Sequence, residues 1–362
     1  MRIAVLGNAD AIHTRRWAGV LAARGHETRI FSLERFTAEA AHPAGEGAPI
    51  TVVPGLPLPR ALRYPLARGA FARALDEFAP DLVEAHFVPN YGFLGALVGR
   101  HPLSVQCWGS DLLVSARRSR LHATRARYAL ARADIVVADA RVLGEAALAF
   151  GAAPERVLVV PWGADLARFP LAAPAARPHV VSVRQLEPLY DVATLVEALP
   201  AVQLAVPALS VTIAGDGPER DTLVARVRAL GLADVVTFVG RVPHDRLATL
   251  LGEGAAYVST ARSDSTSISL LEAMASGPVP VVTNIAGNRE WIEDGAGGRL
   301  FPVGDTRALA HALVTTLCDG AFQRTARALN RARVEADGDW SRNVARVEAR
   351  YESLVTREAA RA

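Results

Sequence analysis

Short apolar runs alternate along the chain with longer segments whose apolar positions recur every three or four residues. Ile3–Leu6 is an unbroken apolar run of the length expected for a strand buried on both faces. Thr14–Arg24 has helical spacing and stops at Gly25, a helix-ending signal. Glu27–Ser32, Thr51–Val53, Leu82–His86, Leu103–Cys107, Ile135–Ala138 and Val157–Val160 read as further strands. Leu66–Phe78, Gly92–Val98 and a basic stretch over Ser119–Ala131 read as helices between them. Such alternation predicts a doubly wound parallel sheet with helices on both faces.

The pattern pauses from Pro161 to Pro178, where Pro161, Pro170, Pro174 and Pro178 lie among alanines. It then restarts. Val180–Val183, Ser210–Ala214 and Val235–Val239 are predicted strands, and Thr194–Val206, Arg220–Leu230, His244–Leu251 and Thr306–Leu317 are predicted helices. An amphipathic helix over Asn343–Val355 follows an aromatic start at Trp340. The expected architecture is two Rossmann-like α/β domains, 1–168 and 179–335, joined by a linker at 169–178. Their carboxyl edges are expected to face each other across a ligand cleft. A terminal helix within 336–362 is expected to cross back to the first domain.

The segment Ser263–Gly277 carries the most chemistry. A polar loop, Ser-Asp-Ser-Thr-Ser, runs directly into an apolar helix, and Asp264 and Glu272 lie eight residues apart across the junction. Residues 255–260 before it and 279–283 after it read as buried strands. Polar chemistry is thus placed at the carboxyl end of a parallel strand, where open α/β sheets bind ligands. The unpaired N–H groups of a helix start favour an anion. Carboxylates beside an anion site fit a ligand with both phosphate and many hydroxyls, as a nucleotide sugar has.

Composition narrows the chemistry. The 362 residues are 51% hydrophobic and 21% charged, with a net charge of +3, which argues against a general nucleic-acid binder. All 40 basic residues are arginine. This excludes Schiff-base chemistry, pyridoxal-phosphate attachment and a P-loop lysine, so a phosphate clamp must use arginine, helix starts or backbone amides. Cys107 and Cys318 are far apart and match no metal spacing. With no disulfide framework, no recognisable signal peptide and no apolar run long enough to span a bilayer, a cytoplasmic protein is expected. Arg117, Arg118, Arg120, Arg125 and Arg127 form a cationic run, read either as a solvated helix face or as a peripheral contact for an anionic membrane.

Ordered motifs along the chain point to a family. Asp264–Gly277 resembles the Glu-x7-Glu motif of the retaining nucleotide-sugar glycosyltransferases of family 4, which have the two-domain GT-B fold. Val181-Ser-Val-Arg-Gln-Leu-Glu-Pro-Leu-Tyr resembles the first strand and loop of their donor domain. Ile213-Ala-Gly-Asp-Gly-Pro-Glu-Arg resembles their Gly-Asp-Gly-Pro-Glu turn, and Phe238-Val-Gly-Arg-Val-Pro-His their base-binding strand. Asn284-Ile-Ala-Gly-Asn-Arg-Glu-Trp-Ile and Gly297-Gly-Arg-Leu-Phe resemble later segments. Glu84-Ala-His86, Trp108-Gly-Ser-Asp111 and Val159-Val-Pro-Trp-Gly-Ala-Asp165 fit the first half. The chain departs from the family where Asp264 stands for Glu, Tyr190 for the donor-loop lysine, Gln185 for an arginine, Gly7-Asn8 for paired glycines and Trp108-Gly109 for His-Gly.

The resemblance implies a transferase that moves a sugar from a nucleotide-diphosphate donor to a hydroxyl acceptor on a glycan, lipid-linked sugar or small molecule. It implies retention by a front-face reaction, with no cofactor, no metal and no Asp-x-Asp metal pair. Asp264 would then hold sugar hydroxyls and Glu272 the ribose, as the catalytic pair. Donor contacts would come from Arg184, Gly215, Gly217, Arg241, Val242, Ser265, Thr266, Ser267 and Ile268, with Arg289 a weaker candidate. The acceptor side would comprise Asn8, His13, His86, Trp108 and Asp111. Simpler readings stand beside these. Asp264 and the three hydroxyl residues also read as turn and cap residues, Gly215 and Gly217 as a tight turn, Arg184 as a surface ion pair, and His86 and Trp108 as core side chains. A non-catalytic sugar-nucleotide binder and a non-hydrolysing sugar-nucleotide epimerase are the alternative functions. A Rossmann dehydrogenase is disfavoured, because no Gly-x-Gly-x-x-Gly follows the first strand.

Overall fold

The computed structural model describes residues 1–34, 48–54, 59–99 and 102–360. The chain forms two compact units, one of Met1–Val160 with Ala345–Ala362 and one of Pro161–Val344. In the first, β1 (Arg2–Leu6), β2 (Glu27–Ser32), β3 (Ile50–Val52), β4 (Leu82–His86), β5 (Leu103–Gln106), β6 (Ile135–Ala138) and β7 (Val157–Val159) build one sheet. All pairs are parallel, in the order β3-β2-β1-β4-β5-β6-β7. The central strands are buried because both faces are covered: Leu6, Phe31, Phe71, Leu75 and Val105 are at most 1% exposed in a single core, and β4 and β5 add the buried polar groups Glu84, His86, Ser104 and Gln106.

The second unit repeats the plan with β8 (His179–Val183), β9 (Ser210–Ala214), β10 (Val236–Gly240), β11 (Ala256–Ser259), β12 (Val279–Thr283) and β13 (Arg299–Phe301). Its order is β10-β9-β8-β11-β12-β13, again parallel. Each sheet has one place where successive connections run off in opposite directions, between β1 and β4 in the first and between β8 and β11 in the second. At such a switch point the loops diverge and leave a crevice at the carboxyl ends of the strands.

The structure departs from the sequence reading in four segments. Residues 161–178 do not form a free linker but fold with the second unit. The Ala164 N–H donates to Gly338 O at 2.8 Å, the Ala172 N–H to Ser276 O at 3.0 Å, and Phe169 is fully buried. The prolines there mark extended backbone pinned to a surface. Helices at Arg141–Ala149 and Gly320–Asp337 were not predicted. The second lacks an apolar stripe because its inward face uses polar groups: Arg327 donates to Gly277 O at 2.9 Å and Asn330 to Gly297 O at 2.7 Å. The last helix is longer than expected, Trp340–Ala359, and passes from the second unit into the first at Ala345. In the first unit the Tyr351 hydroxyl donates to Glu84 at 3.1 Å and accepts from Ser104 at 3.0 Å and Gln106 at 2.9 Å. Glu348 pairs with Arg24 at 2.6 Å and His26 at 2.8 Å.

Candidate active site

Arg184 follows β8 directly, and the polar loop of Asp264 follows β11, so the second unit's switch point brings them together. Two glycines let the neighbouring backbone close around Arg184. Gly215 has φ +138°, and a Cβ there would lie 1.8 Å from the Arg184 carbonyl. A Cβ on Gly217 would meet the Leu186 carbonyl at 2.4 Å. The loops are stitched by the Arg184 N–H to Ala214 O at 3.0 Å and the Leu186 N–H to Asp216 O at 3.0 Å. Close backbone packing therefore accounts for both glycines, the simpler of the two roles they were given.

The Arg184 guanidinium is ion-paired with Asp264 and donates to Ser267 Oγ at 2.9 Å. It lies over the Tyr190 ring at 4.7 Å, so the residue at the expected lysine position supports the arginine from below. Burial works against the arginine's charge, but Asp264, Tyr257 and Tyr190 outweigh it and hold the guanidinium pKa above its ordinary value. Burial also pushes the Tyr190 phenol up, against the pull of Arg184. Arg184 is thus a permanent cation, and Asp264 is its counter-ion before any ligand arrives.

Ser267 caps the helix Ile268–Ser276, its hydroxyl accepting from the Leu270 N–H at 3.3 Å. The first intrahelical bonds run from Leu270 and Leu271 to Ser267 O, so the N–H groups of Ile268 and Ser269 precede the ladder and direct positive partial charge outward. Ser265, Thr266 and Ser267 are all buried, and Thr266 Oγ1 accepts from Trp291 Nε1 at 3.3 Å. Gly287 lets the loop after β12 press on this segment, since a Cβ there would lie 1.8 Å from Ser265 O. Glu272, one turn into the helix, is 3% exposed, and its carboxylate accepts from His244 Nε2 at 3.0 Å. A buried carboxylate needs such a partner.

Other expected donor residues sit nearer the rim. Val242 is half-buried and packs on the core beneath the helix, while Arg241 is exposed after β10. Arg289 is exposed and bonds Asn284 O at 3.2 Å and Oδ1 at 2.8 Å. The Asp-x-Asp spacing, expected to be absent, does occur as Asp337-Gly-Asp339. Asp337 pairs with Arg333 at 3.0 Å, and Asp339 accepts from the Arg342 N–H at 2.7 Å. Both belong to the joint between the last two helices, away from the Asp264 loop in sequence.

In the first unit, the switch point between β1 and β4 gathers most of the expected acceptor residues. His13 and His86 flank Trp108, with ring centroids 5.1 Å and 5.0 Å away. His86 is 2% exposed, bonded to Glu84 at 2.7 Å and Thr14 at 3.2 Å, so it is a held core group at the sheet edge. Phe87, immediately after it, takes φ +66°, a conformation that costs a bulky residue about 1–3 kcal/mol. Asn8 is exposed, and its Oδ1 accepts from the Asp10 N–H at 2.9 Å in the turn before the first helix. Asp111, expected on the acceptor side, lies beneath the surface instead. It is fully buried and accepts from the backbone N–H groups of Val88 and Trp108 at 3.1 Å and Leu112 at 2.9 Å, which fixes the Trp108 loop from beneath. Burial pushes its carboxyl up to about 6 despite those bonds.

The cationic run is split. Arg117, Arg118, Arg120 and Arg127 are exposed, but Arg125 is buried with its guanidinium 5.1 Å from the Phe93 ring. Among the described residues no helix is long and apolar enough to cross a membrane. Sequence reasoning gave no role to His244, Arg168, Thr14 or Glu84. His244 closes the motif likened to a base-binding strand and opens a predicted helix, and neither reveals a partner 28 residues on.

Comparison with known proteins agrees with this geometry. The profile of a glycosyl transferase 4-like domain matches residues 11–163, and that of glycosyl transferases group 1 matches residues 164–333. Glycogen synthase of Mycobacterium tuberculosis (strain CDC 1551 / Oshkosh) is 32% identical over 264 residues, which is 72% of this chain and 62% of that relative. The match therefore leaves more than a third of that relative's length uncovered. Sucrose-phosphate synthase from Thermosynechococcus elongatus superposes with a TM-score of 0.81 at 21% identity, covering 98% of this chain and 99% of that one. Anabaena HepE, solved in complex with UDP-glucose, superposes with a TM-score of 0.80 at 20% identity, covering 98% and 100%. These structures share the α/β GT-B fold. Since the two profiles meet end to end at residues 163 and 164 and between them take in every strand but β1, the chain belongs to the group 1 glycosyltransferases, the family 4-like group.

Proposed function

We propose that the protein is a retaining glycosyltransferase that takes a sugar from a nucleotide-diphosphate donor held by the second unit and passes it to a hydroxyl acceptor held by the first. The observation that carries this reading is the meeting of Arg184, Asp264 and the start of helix 268–276 at one switch point, with Glu272 buried a turn further on. A guanidinium and a helix start suit a diphosphate, and carboxylates suit sugar and ribose hydroxyls. HepE, in complex with UDP-glucose, supports a donor of this class.

On binding, the diphosphate competes with Asp264 for Arg184 and frees the Asp264 carboxylate for the transferred sugar. Glu272 holds the ribose. Ser265, Thr266, Ser267 and Ile268 present the helix start, while Val242 and Arg241 line the rim on the base side. In the transfer the bond from the anomeric carbon to the leaving phosphate oxygen breaks. The acceptor oxygen bonds the same face, and its proton goes to the departing phosphate oxygen. No separate general base is required, and no metal ion or cofactor is invoked. The protein contributes alignment and charge stabilisation of the leaving group. Asn8, His13 and Trp108 form the acceptor side, with Trp108 offering an aromatic face to a sugar and the buried His86 ring packed 5.0 Å behind it. Arg117, Arg118 and Arg120 are the cations through which an anionic membrane would be touched if the acceptor is lipid-linked.

Proton NMR of the chain incubated with UDP-, GDP-, ADP- and TDP-sugars and simple glycosides tests this. Transfer, or slow hydrolysis, with the donor's anomeric configuration kept is expected. An inverted product would overturn the retaining reaction. Tight binding with neither transfer nor hydrolysis would mark a non-catalytic binder, and sugar interconversion without acceptor an epimerase.

A further inference from the structure

His244 opens the helix His244–Gly252, and both of its ring nitrogens are engaged. Nε2 lies 3.0 Å from Glu272 Oε1, and Nδ1 lies 2.6 Å from Arg168 Nη1. A guanidinium can only donate, so Nδ1 must be the acceptor and the ring proton must sit on Nε2. That proton is then donated to Glu272. The ring is fixed from a third side by Phe169, edge-on at 5.2 Å and 70°. Arg168 is itself steered by Asp165 at 3.9 Å. Arg168, Phe169 and Asp165 all come from the segment that sequence reasoning left as the end of one domain and a linker.

We propose that Arg168 and His244 form a positioning relay for Glu272: Arg168 sets the neutral Nε2–H tautomer of His244, and His244 holds the Glu272 carboxylate in the orientation that receives the donor ribose. This rests on the donor-site reading of Glu272 given above. The relay explains why residues 161–178 are pinned to the second unit rather than left loose. It also explains how a carboxylate only 3% exposed keeps one orientation. Neither Arg168 nor His244 is assigned contact with the reacting atoms. A change in either should weaken donor binding through Glu272 alone.

Two measurements on the full chain test this. Nitrogen-15 NMR of the imidazoles is expected to show His244 as the Nε2–H tautomer, and Arg168→Met is expected to give a mixture of tautomers. A protonated or Nδ1–H ring in the wild type, or no change in Arg168→Met, would overturn the relay. In the second, UDP, GDP, ADP and TDP are titrated calorimetrically into the wild type, and the tightest is carried to the variants. His244→Ala and Arg168→Met should each weaken it about tenfold or more, the effect of losing one hydrogen bond to a charged group. His244→Gln, whose amide N–H replaces Nε2–H, should stay within about threefold. Glu272→Ala separates the two levels of inference. If it leaves affinity unchanged, or if none of the four nucleotides binds, the donor-site reading falls and the relay falls with it. If it weakens binding while the His244 and Arg168 variants do not, the relay alone is wrong. Thermal melts check that each variant is folded, and Arg168→Met, at an exposed side chain, carries the test should His244→Ala unfold.

Discussion

In the proposed function Arg184 has the hardest task of any single residue, because the chain has no lysine to share a phosphate with it. Its side chain is already satisfied by Asp264, Ser267 and the Tyr190 ring, so it is held in place before a ligand arrives. Arg184→Ala is expected to weaken nucleotide-diphosphate binding at least about tenfold, as the loss of a charge-assisted bond does. Unchanged affinity by calorimetry would remove Arg184 from the phosphate site. Asp111 allows a different test. Its folded pKa of about 6 lies above the value of about 3.9 usual for an unfolded aspartate, so the native state holds the proton more tightly. Its contribution to stability is therefore present below about pH 4 and is lost as the pH rises through about 6. Relative to Asp111→Asn, the wild type should lose up to about 3 kcal/mol between pH 4 and pH 7 in denaturant titrations. A difference that does not vary with pH would contradict this. Asp264, Glu272 and Arg184 could be singled out in the sequence because each lies in or beside a local motif. The ion pair between Asp264 and Arg184, and the bond from His244 to Glu272, were not. They depend on loops of different strands meeting at a switch point, which spacing along the chain does not encode.

At the scale of elements, the strands were the most legible feature, since doubly covered strands of a parallel sheet are written as apolar runs. Helix 320–337 was missed because it buries Arg327 and Asn330 in place of apolar side chains. The segment 161–178 was misjudged because proline reads as linker whether the chain is free or pinned. Gly215 and Gly217 show an element-level constraint that looks like a functional one: they shape the turn that holds the Arg184 backbone. Gly215→Ala forces both a φ of +138° and a contact of 1.8 Å with the Arg184 carbonyl. It should cost about 1–3 kcal/mol or more and weaken nucleotide binding in step, because the loop that moves is the one bearing Arg184. A variant that melts and binds as the wild type does would show that this turn does not position Arg184.

At the scale of the whole molecule, the two units share one design, a parallel sheet with its chemistry at the switch point, and differ in what is placed there. The first gathers rings, His13, His86 and Trp108, over a buried Glu84 and Asp111. The second gathers Arg184, Asp264 and a helix start. The final helix belongs to the first unit from Ala345 onward, where the Tyr351 hydroxyl serves Glu84, Ser104 and Gln106. Tyr351→Phe leaves those three groups without that partner and should lower the stability of the first unit by about 1–3 kcal/mol, read by chemical denaturation. An unchanged midpoint would mean that the helix is held by its other contacts alone. The donor assignment is tested most directly by hydrogen–deuterium exchange of the full chain with and without saturating UDP-glucose. Protection is expected at 184–190, 215–219 and 264–272, the three loops around the switch point of the second sheet. Protection confined to residues 1–160, or none at saturation, would contradict the placement of the donor on Asp264 and Glu272.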